Sequence, residues 1–296
     1  MKAQVRRLPL GPGVYRFRDE AGKVLYIGRA RNLRRRVQSY WTHLGDRPRL
    51  ARMVRRIARV EGVWCDSEHE AAFLERNLLE HSKPRWNRTE GGAEVVGYIR
   101  LDNGSKPGLR FEHLVTGTAA HFGPYLGGLR IRQAISGLHR VLPLQYTVEG
   151  DASAREFGQL FGIGPGDRDT LTRTAIAVLE RDPDAVTALR DELVRRRDRA
   201  AGELRFEFAA KVQDELAALE WIVAEQKVAW LDPRDADVYG WADGVLVHFQ
   251  VRAGRMCTWT QRATSEATAR ARVAATPPLW QLFAQRNAEL AARLLA

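Results

Sequence analysis

The chain has almost no cysteine. Cys65 and Cys257 are the only two in 296 residues and lie far apart, so neither a disulfide framework nor a cysteine-based metal site can be assembled from them. Seven histidines are scattered with no i, i+4 pair, which argues against a histidine zinc site. No apolar run reaches the ~18–20 residues that a membrane span needs, so no membrane partner is expected. The opening residues MKAQVRRLPLGPG carry charge but no apolar core, and they do not read as a signal peptide. Internal repeats and low-complexity segments are absent too. Together these absences point to a cytoplasmic protein.

Acidic residues are scarce in one place, and this is the most informative lack. The net charge is +11, and residues 1–90 account for it with 21 Lys/Arg against 10 Asp/Glu. Between Arg29 and Arg59 eleven arginines face a single acid, Asp46. A solvated helix face normally interleaves acids among its bases. An arginine cluster without them is the footprint of a polyanion partner.

Local patterns organise the first third. GVYRFRD and KVLYIGR are short β-type runs around Glu20-Ala21-Gly22, a turn signal. A turn centred near Ala21 puts Tyr15 opposite Tyr26 or Ile27, which makes the two phenols cross-strand neighbours. Asn32 is placed to cap a helix through LRRRVQSYW, and Pro48 fits the first position of a second helix, PRLARMVRRIARV. EGVWCD reads as a third strand. Ser67 and Glu70 form an S-x-x-E capping box for a helix that Pro84 ends. Further on, residues 94–115 read as a hairpin about Asn103-Gly104, and FGPYLGGLRIRQAISGLHRVLPL reads as a glycine-rich loop leading into a helix. Residues 165–228 are strongly helical, 237–259 return to strand-like alternation, and 264–296 are helical. GIGPG at 162–166 is expected to be a tight connector, although a helix-hairpin-helix turn whose amides hold phosphate is the other reading.

One carboxylate stands out. Ala71, Glu75, Leu78 and Leu79 share a helix face, and a carboxylate on an apolar stripe is costly unless it is paired or binds a metal. Periodicity alone leaves two readings open, a salt bridge to a nearby arginine and a metal ligand facing the hairpin.

GVY at 13–15 followed by YIG at 26–28 resembles the GIY-YIG nuclease signature. NLRRRV at 32–37 and LERNLLEHSKPRWN at 74–87 follow at the family's spacing. The pattern is most similar to UvrC excision-repair nucleases and their shorter Cho-type homologues, strongly to about residue 145 and more weakly beyond. The resemblance implies an α+β chain with a GIY-YIG α/β nuclease module at 1–92. A β-hairpin and glycine-rich linker region at 93–165 follows, then a helical region at 166–232 and a β/α region at 233–296. It implies Tyr15 and Tyr26 flanking a scissile phosphate, with Tyr26 the favoured general base. Arg36 would stabilise the pentacovalent phosphate, Tyr40 would assist positioning, Asn87 would fix the hydrogen-bond network, and Glu75 would hold the metal. Arg29 stands where many relatives carry lysine, which argues against a proton-relay role because Arg rarely titrates. A phenol with pKa near ~10 is a poor base unless cations lower that value. Arg29 and the arginines behind it are therefore expected to favour the phenolate. Arg31, Asn32, Arg34, Arg35, Arg49, Arg52, Arg55 and Arg56 are the expected DNA contacts. One carboxylate suits one ion, Mg²⁺ or Mn²⁺, bound largely through water and substrate phosphate. A two-metal site would need clustered acids, and the hairpin offers only Asp19 and Glu20.

The chain also departs from UvrC. Where UvrC proteins carry four cysteines this chain has none, so no iron–sulfur cluster is expected. Only something like the opening strands of the second, RNase H-like nuclease half is expected in DADVYGWADGVLVHFQVRAGRM, and no second active site. LRFEFAAKVQDEL (204–216) resembles the UVR motif that pairs with a UvrB-type helicase, with Leu204, Phe206, Phe208 and Leu216 as the docking residues. Internal packing of a helical hairpin is an equal reading of those positions. The implied function is a metal-dependent DNA endonuclease that hydrolyses one phosphodiester near a lesion, on the 3′ side, in nucleotide excision repair of damaged duplex DNA. Two alternatives stand beside it: a GIY-YIG nuclease of recombination or mobile-element defence, and a catalytically inactive DNA-binding adaptor.

Overall fold

A computed structural model of the chain describes residues 2–42, 48–87 and 94–296. It divides into two compact units, residues 1–93 with 225–296, and residues 94–224. No helix among the described residues is long and apolar enough to cross a membrane.

The first unit is built on an antiparallel sheet of order β2-β1-β3, with β1 at Gly13–Arg18, β2 at Val24–Ala30 and β3 at Arg59–Trp64. The β1–β2 turn forms where expected. Gly22 takes a left-handed φ of 77° and donates to the Asp19 carbonyl at 2.9 Å, while the Asp19 carboxylate accepts from the Lys23 amide. The register differs from the expectation by up to two residues. Tyr15 lies opposite Gly28 and Phe17 lies opposite Tyr26, with an irregularity at Phe17/Arg18 that a centred turn does not anticipate. Tyr15 and Tyr26 are thus diagonal rather than direct neighbours, and both project to one face. Helices α1 (Lys2–Arg7), α2 (Leu33–Thr42), α3 (Pro48–Val54) and α4 (Glu68–His81) surround the sheet. Asn32 Oδ1 accepts from the Arg35 amide and caps α2, and Ser67 Oγ accepts from the Glu70 amide and caps α4.

The second unit contains a sheet of order β5-β4-β6, with β4 at Val96–Asp102, β5 at Gly108–Glu112 and β6 at Ala120–Leu126. Helix α5 (Gly128–Val141) packs on it, and α6 (Ala152–Phe161), α7 (Arg168–Leu179), α8 (Pro183–Gly202) and α9 (Phe206–Val223) follow. The FGPYL segment is a strand here, not the expected loop. Pro124 is accommodated because β6 is an edge strand. Helix α6 lies in a stretch where the sequence suggested no element. Asp151 caps it through the Ser153 and Ala154 amides, and Gly162 ends it at φ 66°. GIGPG is the short connector from α6 to α7.

Residues 225–296 return to the first unit. Strands β7 (Ala236–Ala242), β8 (Val245–Arg252) and β9 (Arg255–Ala263) form a meander, followed by α10 (Glu266–Ala274) and α11 (Pro278–Leu295). The region expected as β/α at 233–296 packs integrally with residues 1–93. Helix α11 lies against β3 and β7, and α4 packs against β9. Leu290 and Leu294 of α11 share a core with Tyr15, Phe17, Leu33 and Val37. Asn287 exchanges hydrogen bonds with both backbone groups of Trp64, and Arg286 and Lys227 each pair with Asp66, at 2.7 and 2.5 Å.

Glu70 belongs to this joint. Its carboxylate accepts from the backbone amides of Asp66 and Lys227, both at 2.6 Å. The capping box therefore forms on the Ser67 side, while its acid secures the returning chain. Burial pushes the Glu70 pKa up to about 7, against the pull of those two amides. A carboxyl raised on folding contributes stability that is complete below its unfolded value and lost as pH rises through about 7. Wild type should therefore lose stability relative to Glu70→Gln between about pH 4 and pH 7.5, measured as the difference between their urea midpoints. A difference that stays flat over that window would show that Glu70 titrates like an exposed acid.

Candidate active site

The site begins with the alternation of β1. Tyr15 and Phe17 point to one face, where α2 delivers Tyr40 one turn after Arg36. The Tyr15 and Tyr40 hydroxyls are 2.8 Å apart. The Tyr26 ring stands 6.2 Å from Tyr15 and 6.1 Å from Tyr40, so the three phenols form a triangle. Phe17 lies beneath them, stacked on Tyr26 and edge-on to Tyr40. Tyr15 and Tyr40 are buried, whereas Tyr26 is half-buried. Gly28 makes the cluster possible. A methyl group there would lie 2.5 Å from the Tyr15 hydroxyl and 2.7 Å from the Tyr26 ring. That constraint is a part of the YIG triplet that sequence reasoning missed, and cross-strand pairing of Gly28 with Tyr15 is the signal that exposes it.

Around the phenols stand the charged groups. Arg36 is over the Tyr40 ring at 5.3 Å. Glu75, on α4, meets Arg29 Nε at 3.4 Å, so the salt-bridge reading of this carboxylate is realised. Its side chain is 21% exposed, which leaves it within reach of solvent and of a ligand. Asn87 does not point at the phenols. It accepts from the Ile27 amide at 3.1 Å and donates to the Ile27 carbonyl at 2.8 Å. The Trp86 amide also donates to the Leu25 carbonyl. Residues 86–87 thereby satisfy the outer edge of β2, on either side of Tyr26, in the manner of an extra strand.

The electrostatics correct one expectation. Burial is the main cause that pushes the Tyr15 phenol well up, and the neighbouring phenols Tyr40 and Tyr26 add to it. Tyr26 is raised for the same reasons, with Glu75 contributing. Arg36 opposes both shifts without overcoming them. The arginines therefore do not make a phenolate, and Arg29 is engaged by Glu75 instead. Arg36 is itself raised, because the three phenols outweigh the effect of its burial.

The donor set fits one hard, hydrated divalent cation. It offers a single half-exposed carboxylate beside neutral hydroxyls, and no group of three or more His, Cys, Asp or Glu side chains able to hold a metal occurs among the described residues. An ion bound through one carboxylate, with water and phosphate completing its shell, matches that chemistry.

The arginine face is divided in its employment. Arg35, Arg52 and Arg55 are exposed. Arg31 is exposed and paired with Glu68, and Arg56 is 3.8 Å from Asp19. Arg34 turns back to donate to the Leu8 carbonyl at 2.7 Å, and Asn32 is occupied as the α2 cap, so these two are structural parts of the face. The side chain of Arg49 lies outside the described residues. Of the expected docking residues, Leu204 and Phe206 are exposed at the α8–α9 turn. Leu216 is buried in the core of the second unit, and Phe208 packs against that core under Arg140 and Arg205. Helix periodicity turns these last two inward.

Residues 11–88 match the family described as the UvrC-like GIY-YIG domain. The chain is 30% identical over 275 residues to UvrABC system protein C of Caldicellulosiruptor saccharolyticus, covering 86% of this chain and 46% of the relative. It is 31% identical over 256 residues to the same protein of Syntrophotalea carbinolica, covering 80% of this chain and 41% of the relative. The chain thus spans less than half the length of the curated relatives it matches. Among solved structures it is similar to the GIY-YIG N-terminal endonuclease domain of UvrC from Thermotoga maritima bound to magnesium. That similarity has 32% identity and a TM-score of 0.27, and covers 30% of this chain and 100% of the other. Residues 11–88 therefore form a UvrC-like GIY-YIG domain, in a chain homologous to UvrABC system protein C over most of its own length.

Proposed function

We propose that the chain is a divalent-metal-dependent DNA endonuclease of nucleotide excision repair that hydrolyses one phosphodiester on the 3′ side of a lesion. The observation that carries this reading is the convergence of Tyr15, Tyr26, Tyr40, Arg36 and Glu75 on one side of a small sheet flanked by exposed arginines. Glu75 would hold one Mg²⁺ or Mn²⁺ ion, which when bound supplies Lewis acidity and a more acidic water. Arg36 neutralises charge that grows on the phosphate in the transition state. Tyr26, the phenol that is only half-buried, orients the attacking water through a hydrogen bond, and the proton of that water passes to solvent. Tyr15 and Tyr40 hold each other through their shared hydrogen bond and fix the Tyr26 ring in place. Asn87 keeps β2 straight at that point. Arg29 steadies the Glu75 carboxylate, and Arg31, Arg35, Arg52, Arg55 and Arg56 track the backbone of the damaged duplex in a cytoplasmic setting. Leu204 and Phe206, exposed on a tight turn between two helices, would dock a UvrB-like helicase that loads the enzyme.

Three outcomes follow for cleavage of a 5′-labelled damaged duplex. Glu75→Gln should abolish Mg²⁺-dependent nicking while DNA affinity stays nearly intact, and undiminished nicking would remove Glu75 from the metal site. Arg36→Ala should lower the single-turnover rate by roughly 10²-fold or more. A loss seen in affinity alone would make Arg36 an ordinary phosphate contact. Affinity should fall log-linearly with salt, and Arg52→Ala with Arg55→Ala should flatten the slope by about 0.9 for each phosphate contact removed. A slope unchanged by both substitutions would move the duplex to another face. Cleavage of a lesion-free branched substrate without a helicase would favour a recombination role over repair.

A further inference from the structure

The second unit contains a cavity of about 610 Å³ that none of this chemistry uses. Its volume falls in the range of about 300–1,000 Å³ common for small-ligand sites. Helices α5 and α8, the α8–α9 turn, the start of α9 and the segment from Gln145 to Phe161 supply its walls. Two kinds of side chain dominate the lining.

The first kind is aromatic. Tyr146 stacks on Phe161 with centroids 5.5 Å apart and planes 11° apart, and on Phe157 at 5.7 Å and 21°. Phe157 and Phe161 are one helical turn apart on α6, and each is 51% exposed. A stack of three near-parallel rings with its outer members in water is costly for an isolated fold. It suits a further planar ring. Phe161 and Tyr146 both line the cavity.

The second kind is arginine. Arg140, Arg196, Arg199 and Arg205 line the cavity against Glu192 and Glu203. Arg140 is committed to the buried Glu215 and Arg196 to Glu192, both at 2.6 Å. Arg205 pairs with the exposed Glu203 at 3.4 Å and lies over Phe208. Arg199 is exposed and has no ion pair among the described residues. One guanidinium without an ion pair, Arg199, and one in a surface pair, Arg205, therefore stand beside a half-exposed aromatic stack. Residues 91–296 carry no net charge, so this positive spot is local and not part of a general basic surface.

A planar surface beside accessible cations is the recognition chemistry of a base joined to a phosphate. We propose that this cavity binds unpaired DNA, with one nucleobase stacked on Phe161, the cavity-facing end of the stack, and the adjoining phosphates held by Arg199 and Arg205. Stacking of this kind is tolerant of sequence, because every base has a π face. The site gives the second unit a hold on a displaced strand, and it stands independently of whether the first unit cuts.

The test uses the full chain carrying Glu75→Gln, so that no strand is consumed. Fluorescence anisotropy with labelled (dT)12 measures binding at fixed salt. A (dT)12 containing 5-iodouracil is photo-crosslinked and the product mapped by mass spectrometry. The expected result is a cross-link on the segment containing Tyr146 or Phe161. Phe161→Ala and Arg199→Glu should each weaken (dT)12 by about tenfold or more, and Phe161→Trp should retain binding because it keeps a stacking face. Thermal melts check that these surface variants stay folded. Cross-links confined to residues 1–90, with folded Phe161→Ala and Arg199→Glu binding (dT)12 like the parent, would overturn the assignment.

Discussion

A guanidinium buried in the central strand sets the terms for the first unit. Arg16 lies opposite Glu61 in the β1–β3 register, and the two form an ion pair shielded from solvent. Burial lowers the Arg16 pKa to about 10 even with Glu61 beside it. The Glu61 carboxyl, which burial alone would raise, is held low by Arg16 and Arg18. Such a pair is weak evidence of net stabilisation, yet breaking it by removing one partner costs about 3–5 kcal/mol. The pair also needs a third party. Arg16 donates to the Trp259 carbonyl at 2.6 Å and lies 3.9 Å over the indole of the same residue. A side chain near the N-terminus is thus completed by a strand more than two hundred residues later.

The alternation of β1 turns that constraint into a site. With Arg16 fixed on one face, Tyr15 and Phe17 are committed to the other, where α2 brings Arg36 and Tyr40. Helix α4 is held at its N-terminal end by Glu70, Asp66 and Lys227, and it carries Glu75 one turn beyond. The sheet β7-β8-β9 and α11 therefore brace the two elements that position the phenols and the carboxylate. Burial and the neighbouring phenols push the Tyr15 and Tyr26 hydroxyls up, and Arg36 opposes both shifts.

Much of this was legible because it is local. The Asp19–Lys23 turn, the Asn32 and Ser67 caps and the apolar stripe of α4 depend on neighbours within a few residues. The strand register was misjudged because the irregularity at Phe17/Arg18 shifts the pairing without a mark in composition. Strand β6 was hidden by Gly123 and Pro124, which read as loop residues and are tolerated only because the strand is an edge. The role of residues 225–296 could not be read at all. Contacts such as Trp64 with Asn287 and Arg16 with Trp259 join positions far apart in sequence, and no periodicity encodes them. The expectation that Arg29 favours a phenolate failed for a similar reason, since its partner Glu75 comes from a different element.

The central claim is that one divalent ion binds beside the tyrosine triangle through Glu75. Mn²⁺ titration followed by electron paramagnetic resonance counts bound ions on the full chain directly. The account predicts one ion per chain in wild type and a large loss of that binding in Glu75→Gln, with Tyr26→Phe still binding. Two ions per chain, or one ion bound equally well by Glu75→Gln, would contradict it.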